Sequence, residues 1–96
     1  MPEERGRTSK QKGAIGLVVT QDERDRVVVR AAPPGLPAAN AGLSAGDAIL
    51  SVDGLDVTEI GIGGVVTLLR GDPGTPLVLR YMKPDGVVKE VRLVRV

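Results

Sequence analysis

The alternation of apolar and polar positions divides the first part of the chain into two short strands and a loop. An apolar, β-branched run at residues 15–20 and a second run at residues 27–29 flank a polar cluster at residues 21–26. Two strands joined by a polar turn are expected, because apolar runs of this length bounded by polar residues are typical of strands. Residues 32–37 contain three prolines and predict a loop, since proline cannot donate to a β-ladder.

Residues 37–54, in the middle of the chain, contain several helix and turn signals in close succession. Pro37 and Gly42 enclose residues of mostly high helix propensity, which predicts one or two helical turns started by proline and stopped by glycine. After Gly46 the chain becomes apolar, and it reaches a tight-turn signal at Asp53-Gly54. We expect a buried strand between these two points, built on Ile49, Leu50 and Val52.

The second half predicts a helix followed by a β-hairpin. Residues 55–58 have the pattern of a short extended piece, and apolar residues then recur at helical spacing over residues 62–69. Glycines at 61, 63 and 64 weaken the first helical turn by about 1 kcal/mol each relative to alanine. Alternating residues predict strands at 77–82 and 87–96, joined by a turn at 83–86.

Composition limits the classes of fold and partner. The 96 residues suffice for one small domain, and Tyr81 is the only aromatic residue, so the core is aliphatic and Val-rich, as suits strands. With 13 basic and 12 acidic side chains there is no field to attract nucleic acid. No apolar run is long enough to span a membrane. We expect a flexible polar tail at residues 1–12 and one domain at residues 13–96.

Four motifs follow one another along the chain: Ile15-Gly16-Leu17, Val28-Val29, Pro37-Ala38-x-x-Ala41-Gly42-Leu43-x-x-Gly46-Asp47-x-Ile49-Leu50-x-Val52-Asp53-Gly54 and Leu68-Leu69-Arg70-Gly71-x-Pro73-Gly74-Thr75. In this order they resemble those of a bacterial PDZ domain. They are most similar to the PDZ domains of C-terminal processing peptidases, and more distantly to those of trypsin-like periplasmic proteases. The resemblance implies a mainly β, α+β fold: a partly open β-barrel or sandwich of five or six strands with two helices, in the circularly permuted bacterial topology.

The resemblance also implies a binding groove, because the family captures polypeptide C-termini as an added β-strand. The groove would lie between the strand at Leu17, Val18 and Val19 and the helix that carries Ile62, Val66 and Leu69. The peptide carboxylate would meet the loop Ala14 to Leu17, with Ile15, Gly16 and Leu17 as amide donors and Lys10 or Lys12 as a nearby cation. The last side chain would enter a pocket of Ile15, Leu17, Val66 and Leu69.

Ile62 and Ala14 would each affect how this implied site binds a peptide. Ile62 would favour an apolar ligand residue two positions before the end, because an aliphatic side chain cannot hydrogen-bond a hydroxyl. The family's loop usually begins with a glycine where this sequence has Ala14, and alanine would be strained there if the position needs a positive φ.

Simpler interpretations exist for the same residues. Gly13 and Gly16 could mark an ordinary turn at the entry to a strand, and the apolar helix positions could be plain core. Asp47 and Asp53 each adjoin a glycine, which favours turn hydrogen bonds over a metal site or an acid–base pair. The glycines at 61, 63 and 64 lack the Gly-Lys-Ser/Thr ending of a phosphate loop.

The sequence predicts no catalytic residue, metal or cofactor. The chain has no histidine or cysteine, which leaves a Ser-Lys pair as the one nucleophilic option. Peptidases of the resembled group use such a pair, but in a separate domain that this sequence lacks.

We therefore expect a monomeric peptide-binding module whose partners are C-terminal or extended peptides, with no nucleic-acid binding and no membrane insertion. Two alternatives stay open: the substrate-sensing domain of a serine processing peptidase, or an adaptor or scaffold domain with an internally filled groove. The compartment would be the cell envelope in the peptidase case and the cytoplasm otherwise, since the sequence shows no signal peptide.

Overall fold

A computed structural model of the chain describes residues 13–96, which are built around one antiparallel sheet. The strands follow the order β1-β2-β3-β5-β6, and β4 pairs with β3 outside that path. Two helices complete the fold, so the mainly β class with six strands and two helices is confirmed. The elements are β1 (Val18–Gln21), β2 (Val27–Ala31), α1 (Pro37–Asn40), β3 (Ala48–Val52), β4 (Leu55–Asp56), α2 (Val57–Leu69), β5 (Pro76–Met82) and β6 (Val88–Val94).

The core lies on the face of the sheet to which the buried, alternate residues of the strands point. In β5, Leu77, Leu79 and Tyr81 are buried while Arg80 is exposed, as the period-two geometry of a strand requires. Aliphatic side chains supply the rest of the core, including Val52 and Val65, which are completely buried. Among residues 13–96, no helix has the length and apolar character needed to cross a membrane.

The Pro37 and Gly42 signals mark α1 as predicted. Pro37 occupies the first turn of the helix, and Gly42 follows the helix with a φ of 100°. The helix residue Ala38 is buried. β1, in contrast, begins at Val18 and not at residue 15, because Gly16 has a φ of 75° and turns the chain before the strand starts. Residues 14–17 are therefore a loop, and the predicted strand at 15–20 is corrected accordingly.

α2 begins earlier than the sequence predicted. Its N-cap is Asp56, whose carboxylate accepts hydrogen bonds from Thr58 N (2.9 Å) and Thr58 Oγ1 (2.7 Å). The first of these bonds is the main cause that holds the pKa of Asp56 below its ordinary value. Val57 and Thr58 are thus helical and not extended, and Gly61 (φ 69°, ψ 173°) breaks the helix before the predicted segment at 62–69.

The two turn aspartates make longer-range contacts than predicted. Asp47 is fully buried and accepts from Ser44 N at 3.0 Å, which is a turn role, but it also pairs with Lys83 Nζ at 3.0 Å. This ion pair fastens the turn before β3 to the hairpin after β5. Asp53 does not bond its own turn: its Oδ1 accepts from Val78 N of β5 at 2.8 Å.

Arg95, just beyond β6, is with Asp47 one of the two buried charged residues in the described part of the chain, and 8% of its surface is exposed. Its guanidinium donates to Leu68 O (2.6 Å) and Leu69 O (3.3 Å) at the end of α2. The Nη1 atom donates to Thr75 Oγ1 (2.9 Å) and Pro76 O (3.1 Å) at the start of β5. Arg95 therefore joins the end of the helix to the sheet.

Replacing Arg95 with methionine should lower the free energy of unfolding by roughly 2–4 kcal/mol, because several buried acceptors lose their charged donor. Urea denaturation followed by circular dichroism measures this loss. Arg30→Met is the matched control, since Arg30 is an exposed strand residue and its replacement should change stability by less than about 0.5 kcal/mol. Equal losses in the two variants would contradict the structural role given to Arg95.

Candidate functional site

The outer edge of β1 is open, because β1 lies at the end of the sheet and pairs only with β2 among the described strands. Val29 of β2 donates to Asp47 O (2.8 Å) and accepts from Gly46 N (2.9 Å), so its backbone groups face away from β1. Val19, which lies opposite Val29, then has its own N–H and C=O directed to the open edge, as antiparallel alternation requires. A further strand could pair there.

A cavity of about 360 Å³ lies between this edge and the C-terminal half of α2. All four side chains predicted to form a pocket line it. Ile15 (1% exposed) and Leu69 are buried and form the floor, while Leu17 and Val66 (38% exposed) are accessible. The complete lining is Ala14, Ile15, Gly16, Leu17, Val18, Val19, Pro33, Val66, Leu69 and Arg70.

The loop before β1 is held by backbone hydrogen bonds from three directions. Gly13 exchanges bonds with Gly71 after α2, and Ala14 exchanges bonds with Val96 after β6 (3.1 and 2.9 Å). The carbonyl of Ile15 accepts from Ala38 N of α1 at 2.9 Å. The loop is therefore fixed by its neighbours before any ligand is present.

Three consecutive amides of this loop stay available. Within residues 13–96, the N–H groups of Ile15, Gly16 and Leu17 donate to no acceptor. Successive amides in a turn form a concave set of donors that suits an anion such as a carboxylate. This set lies at the cavity and next to the open edge of β1.

Gly16, and not Ala14, is the position where this loop requires glycine. Gly16 has a φ of 75°, and a Cβ placed there would lie 2.5 Å from the Cβ of Leu36. Ala14 is not among the residues with positive φ, so alanine carries no strain of that kind. Gly13 is needed for a different reason, since a Cβ there would lie 2.9 Å from Pro73 Cα.

The structure brings most of the predicted site residues together. Residues 14–19, Val66 and Leu69 all line the cavity, whereas Ile62 does not: it is half-buried and packs against the core. Lys10 and Lys12 lie outside the described residues.

Sequence reasoning did not assign Pro33 and Arg70, which also line the cavity. Arg70 follows the last residue of α2, is exposed, and its side chain has no hydrogen bond or ion pair within residues 13–96. Arg70 lies four positions after Val66, and that helical spacing was a signal for it.

A larger cavity of about 740 Å³ lies elsewhere, between the β1–β2 turn, β3 and the first half of α2. Three arginines line it: Arg24, Arg26 and Arg80. Arg26 is already paired with Asp22 at 2.7 Å. This cavity contains none of the three free loop amides, and most of the strands around it have partners on both sides. We therefore take the smaller cavity as the candidate site.

Comparison with known families agrees with this geometry. The family model described as PDZ domain matches residues 28–82, which is more than half of the chain. The chain belongs to the PDZ domain family. PDZ domains bind peptides, so the coarse prediction of a peptide-binding module is supported, and the resemblance stated from the sequence is confirmed.

Curated relatives with similar sequences are processing proteases. A carboxyl-terminal-processing protease of Picosynechococcus sp. is 33% identical over 90 residues, which cover 92% of this chain and 22% of that protein. A carboxy-terminal-processing protease of Bartonella bacilliformis is 35% identical over 93 residues, covering 95% and 21%. The chain thus spans about a fifth of these relatives and matches only their PDZ part.

Two solved structures are similar along almost the whole chain. The photosystem II D1 C-terminal processing protease superposes with a TM-score of 0.82 at 30% identity, over 98% of this chain and 25% of that one. The PDZ domain of the carboxy-terminal protease from Vibrio cholerae, solved in complex with a peptide, gives 0.73 at 30% identity, covering 88% and 92%.

Gly16→Ala should destabilise the PDZ domain by about 1–2 kcal/mol more than Gly35→Ala, because overpacking adds to the backbone strain. Gly35 is the matched control, since it has a similar φ of 87° with nothing within 4 Å of its Cβ position. Denaturant unfolding of both variants measures the difference. Equal losses would mean that the chain near Leu36 moves aside, and would refute the close approach.

Proposed function

We propose that this PDZ domain captures the C-terminus of a polypeptide by β-strand addition. The peptide would lie between the strand edge at Leu17, Val18 and Val19 and the second half of α2. One observation supports this proposal above all: the amides of Ile15, Gly16 and Leu17 have no acceptor within residues 13–96, and they adjoin both an apolar cavity and an open edge. A terminal carboxylate matches such donors, and the preceding peptide backbone matches the edge.

The proposed complex assigns a separate task to each part of the groove. The carboxylate accepts from the loop amides, and the outward N–H and C=O of Val19 continue the ladder toward earlier ligand residues. The last ligand side chain enters the cavity between Leu17 and Val66, above the buried side chains of Ile15 and Leu69. Affinity then comes mainly from backbone bonds, and preference for an apolar last residue comes from the cavity.

Ile62 and Arg70 would act at opposite ends of this groove. Ile62 precedes Val66 by one helical turn on the same side of α2, which favours an apolar ligand residue two positions before the end. Arg70 lines the cavity and has no carboxylate partner within residues 13–96, so its charge is available to the ligand carboxylate directly or through water. Lys10 or Lys12 remains proposed as a further cation near the ligand carboxylate.

A second candidate function is that of a substrate-sensing domain in a serine processing peptidase. Its support is the pair of curated relatives, both processing proteases of which this chain matches about a fifth. Peptide binding at the same groove would then report a substrate C-terminus to a catalytic domain. The coding sequence around these 96 residues tests this: an adjoining Ser/Lys catalytic domain would support it, and its absence would leave an adaptor role.

Binding of peptides with an apolar last residue should need both the free carboxylate and the cavity. Amidation of the peptide should weaken binding by roughly tenfold or more, since charge-assisted hydrogen bonds are lost. Val66→Glu should weaken binding similarly, because it brings a charged group into the apolar cavity proposed for the last ligand side chain. Isothermal titration calorimetry with a matched pair of acid and amide peptides measures both effects.

Leu55→Glu is the control for Val66→Glu, since Leu55 is comparably exposed and lines neither cavity. It should bind as the unmodified domain does. Equal affinity for acid and amide peptides would rule out carboxylate capture.

Arg70→Gln should weaken binding of the free-acid peptide about two- to fivefold, the range expected for an exposed charge pair. The amidated peptide should be affected less, and the difference should shrink as salt is raised from 0.05 to about 0.5 M, because salt screens exposed charges. Arg30→Gln removes a charge from outside the cavity and is the control. An equal loss for both peptides would show that Arg70 contributes by packing and not by its charge.

A further inference from the structure

β6 leaves a second open edge at the opposite end of the sheet from β1. Among the described strands it pairs only with β5. Arg95 N donates to Thr75 O (3.0 Å) and Lys83 N donates to Val87 O (2.8 Å), so the odd-numbered residues of this segment bond toward β5. Alternation then directs the N–H and C=O groups of the even-numbered residues outward. These residues are Val88, Glu90, Arg92 and Val94, and all four are exposed.

The outward residues of β6 complement one another when a second copy of the strand lies antiparallel to the first and is centred on Val91. Glu90 then lies opposite Arg92 of the second copy, and the reverse pair follows by symmetry. Val88 lies opposite Val94 in the same way; these side chains are 46% and 44% exposed in the single chain. Over residues 88–94, every outward backbone group of one copy meets an outward group of the other, as an antiparallel ladder requires.

Only this register satisfies the charges. The adjacent registers that also keep outward groups opposite each other are centred on Glu90 or on Arg92. The first places two glutamates opposite each other and the second places two arginines there, and directly opposed like charges destabilise a sheet. Charged residues normally protect an edge strand from pairing. Here their order along the strand, acid and then base on either side of Val91, opposes mispairing while permitting one symmetric arrangement.

The contacts within one chain favour the same arrangement. Glu90 lies opposite Arg80 of β5, with Oε1 4.0 Å from Nε. In the paired form Glu90 would lie between Arg80 and Arg92 of the second copy, an alternating row of three charges across the sheet. Within residues 13–96, Ala14 pairs with this edge at Val96, beyond the end of β6. The net charge of +1 per chain gives little repulsion between copies.

We propose that this PDZ domain forms a twofold-symmetric dimer through the edges of β6, in the register centred on Val91. Such an interface is isologous, because the same strand contributes from both copies. It does not use the β1 edge, along which the proposed peptide groove lies. It differs from the monomer expected from the sequence, and it does not depend on the proposed peptide binding.

Sedimentation equilibrium of the 96-residue chain tests the proposal. The average mass should rise with concentration from 10.0 kDa toward twice that value. Glu90→Arg should weaken association roughly tenfold or more, since two attractive pairs in each dimer become repulsive, and Arg92→Glu should do the same. The double variant, with both substitutions, should return to within about threefold of the unmodified chain, because the charges are then exchanged across the interface.

Two comparisons distinguish the loss of pairing at β6 from other effects of the substitutions on association. Glu23→Arg changes the net charge as Glu90→Arg does, but at an exposed site in the β1–β2 turn, and it should leave association unchanged. Glu90→Arg and the double variant both lose the contact between Glu90 and Arg80, so stronger association in the double variant than in Glu90→Arg reports the intermolecular pair. Thermal unfolding confirms that each variant is folded.

Three results would overturn the proposal. The first is a monomer at all concentrations up to about 1 mM, which corresponds to an association free energy weaker than about −4 kcal/mol. The second is a double variant that associates no more strongly than the single variants. The third is a dimer that dissociates when a free-acid peptide fills the groove, which would place the interface at β1.

Discussion

The position of α2 against the sheet depends on the buried guanidinium of Arg95. It bonds two carbonyls at the end of the helix and two groups at the start of β5. The charge suits this place, because the C-terminus of a helix carries partial negative charge. A Cβ on Gly71 would lie 2.8 Å from Arg95 Nε, so the adjacent backbone approaches as closely as glycine allows. The end of α2 that Arg95 holds carries Leu69, which forms part of the floor of the cavity.

The same end of the molecule also organises the loop before β1. Gly13 bonds Gly71, Ala14 bonds Val96, and Ile15 accepts from Ala38, so three separate segments hold one short stretch of backbone. These bonds engage one side of the loop and leave the amides of residues 15–17 unused within the described chain. A loop already fixed in this way loses little conformational entropy when it binds an anion, which is the advantage of preorganisation. The proposed site therefore owes its form to backbone bonds with Ala38, Gly71 and Val96, which lie far apart in the sequence.

Local sequence signals predicted those parts of the fold in which neighbouring residues decide the structure. Pro37 and Gly42 bound α1, and alternation located β5 and β6. Contacts between distant residues were not predictable in this way: Asp47 resembled a turn residue, and nothing near it identifies Lys83, 36 positions later, as its partner. Arg95 likewise resembled an ordinary polar strand residue. The pocket side chains followed from family resemblance, because helical periodicity alone does not distinguish a groove wall from core.

The break in α2 divides the groove into two ends with different mechanical properties. Toward the loop, Val65 and Leu69 are buried and Arg95 caps the helix, so this end is fixed by packing and by charge-assisted bonds. Toward Gly61 the helix is interrupted by that residue's non-helical backbone, and a Cβ placed at Gly61 or Gly63 would have no neighbour within 4 Å. Glycines in a first helical turn reduce its stability. In the proposed complex the rigid end meets the carboxylate and the last side chain, so selectivity should be strongest there and decrease toward earlier ligand residues.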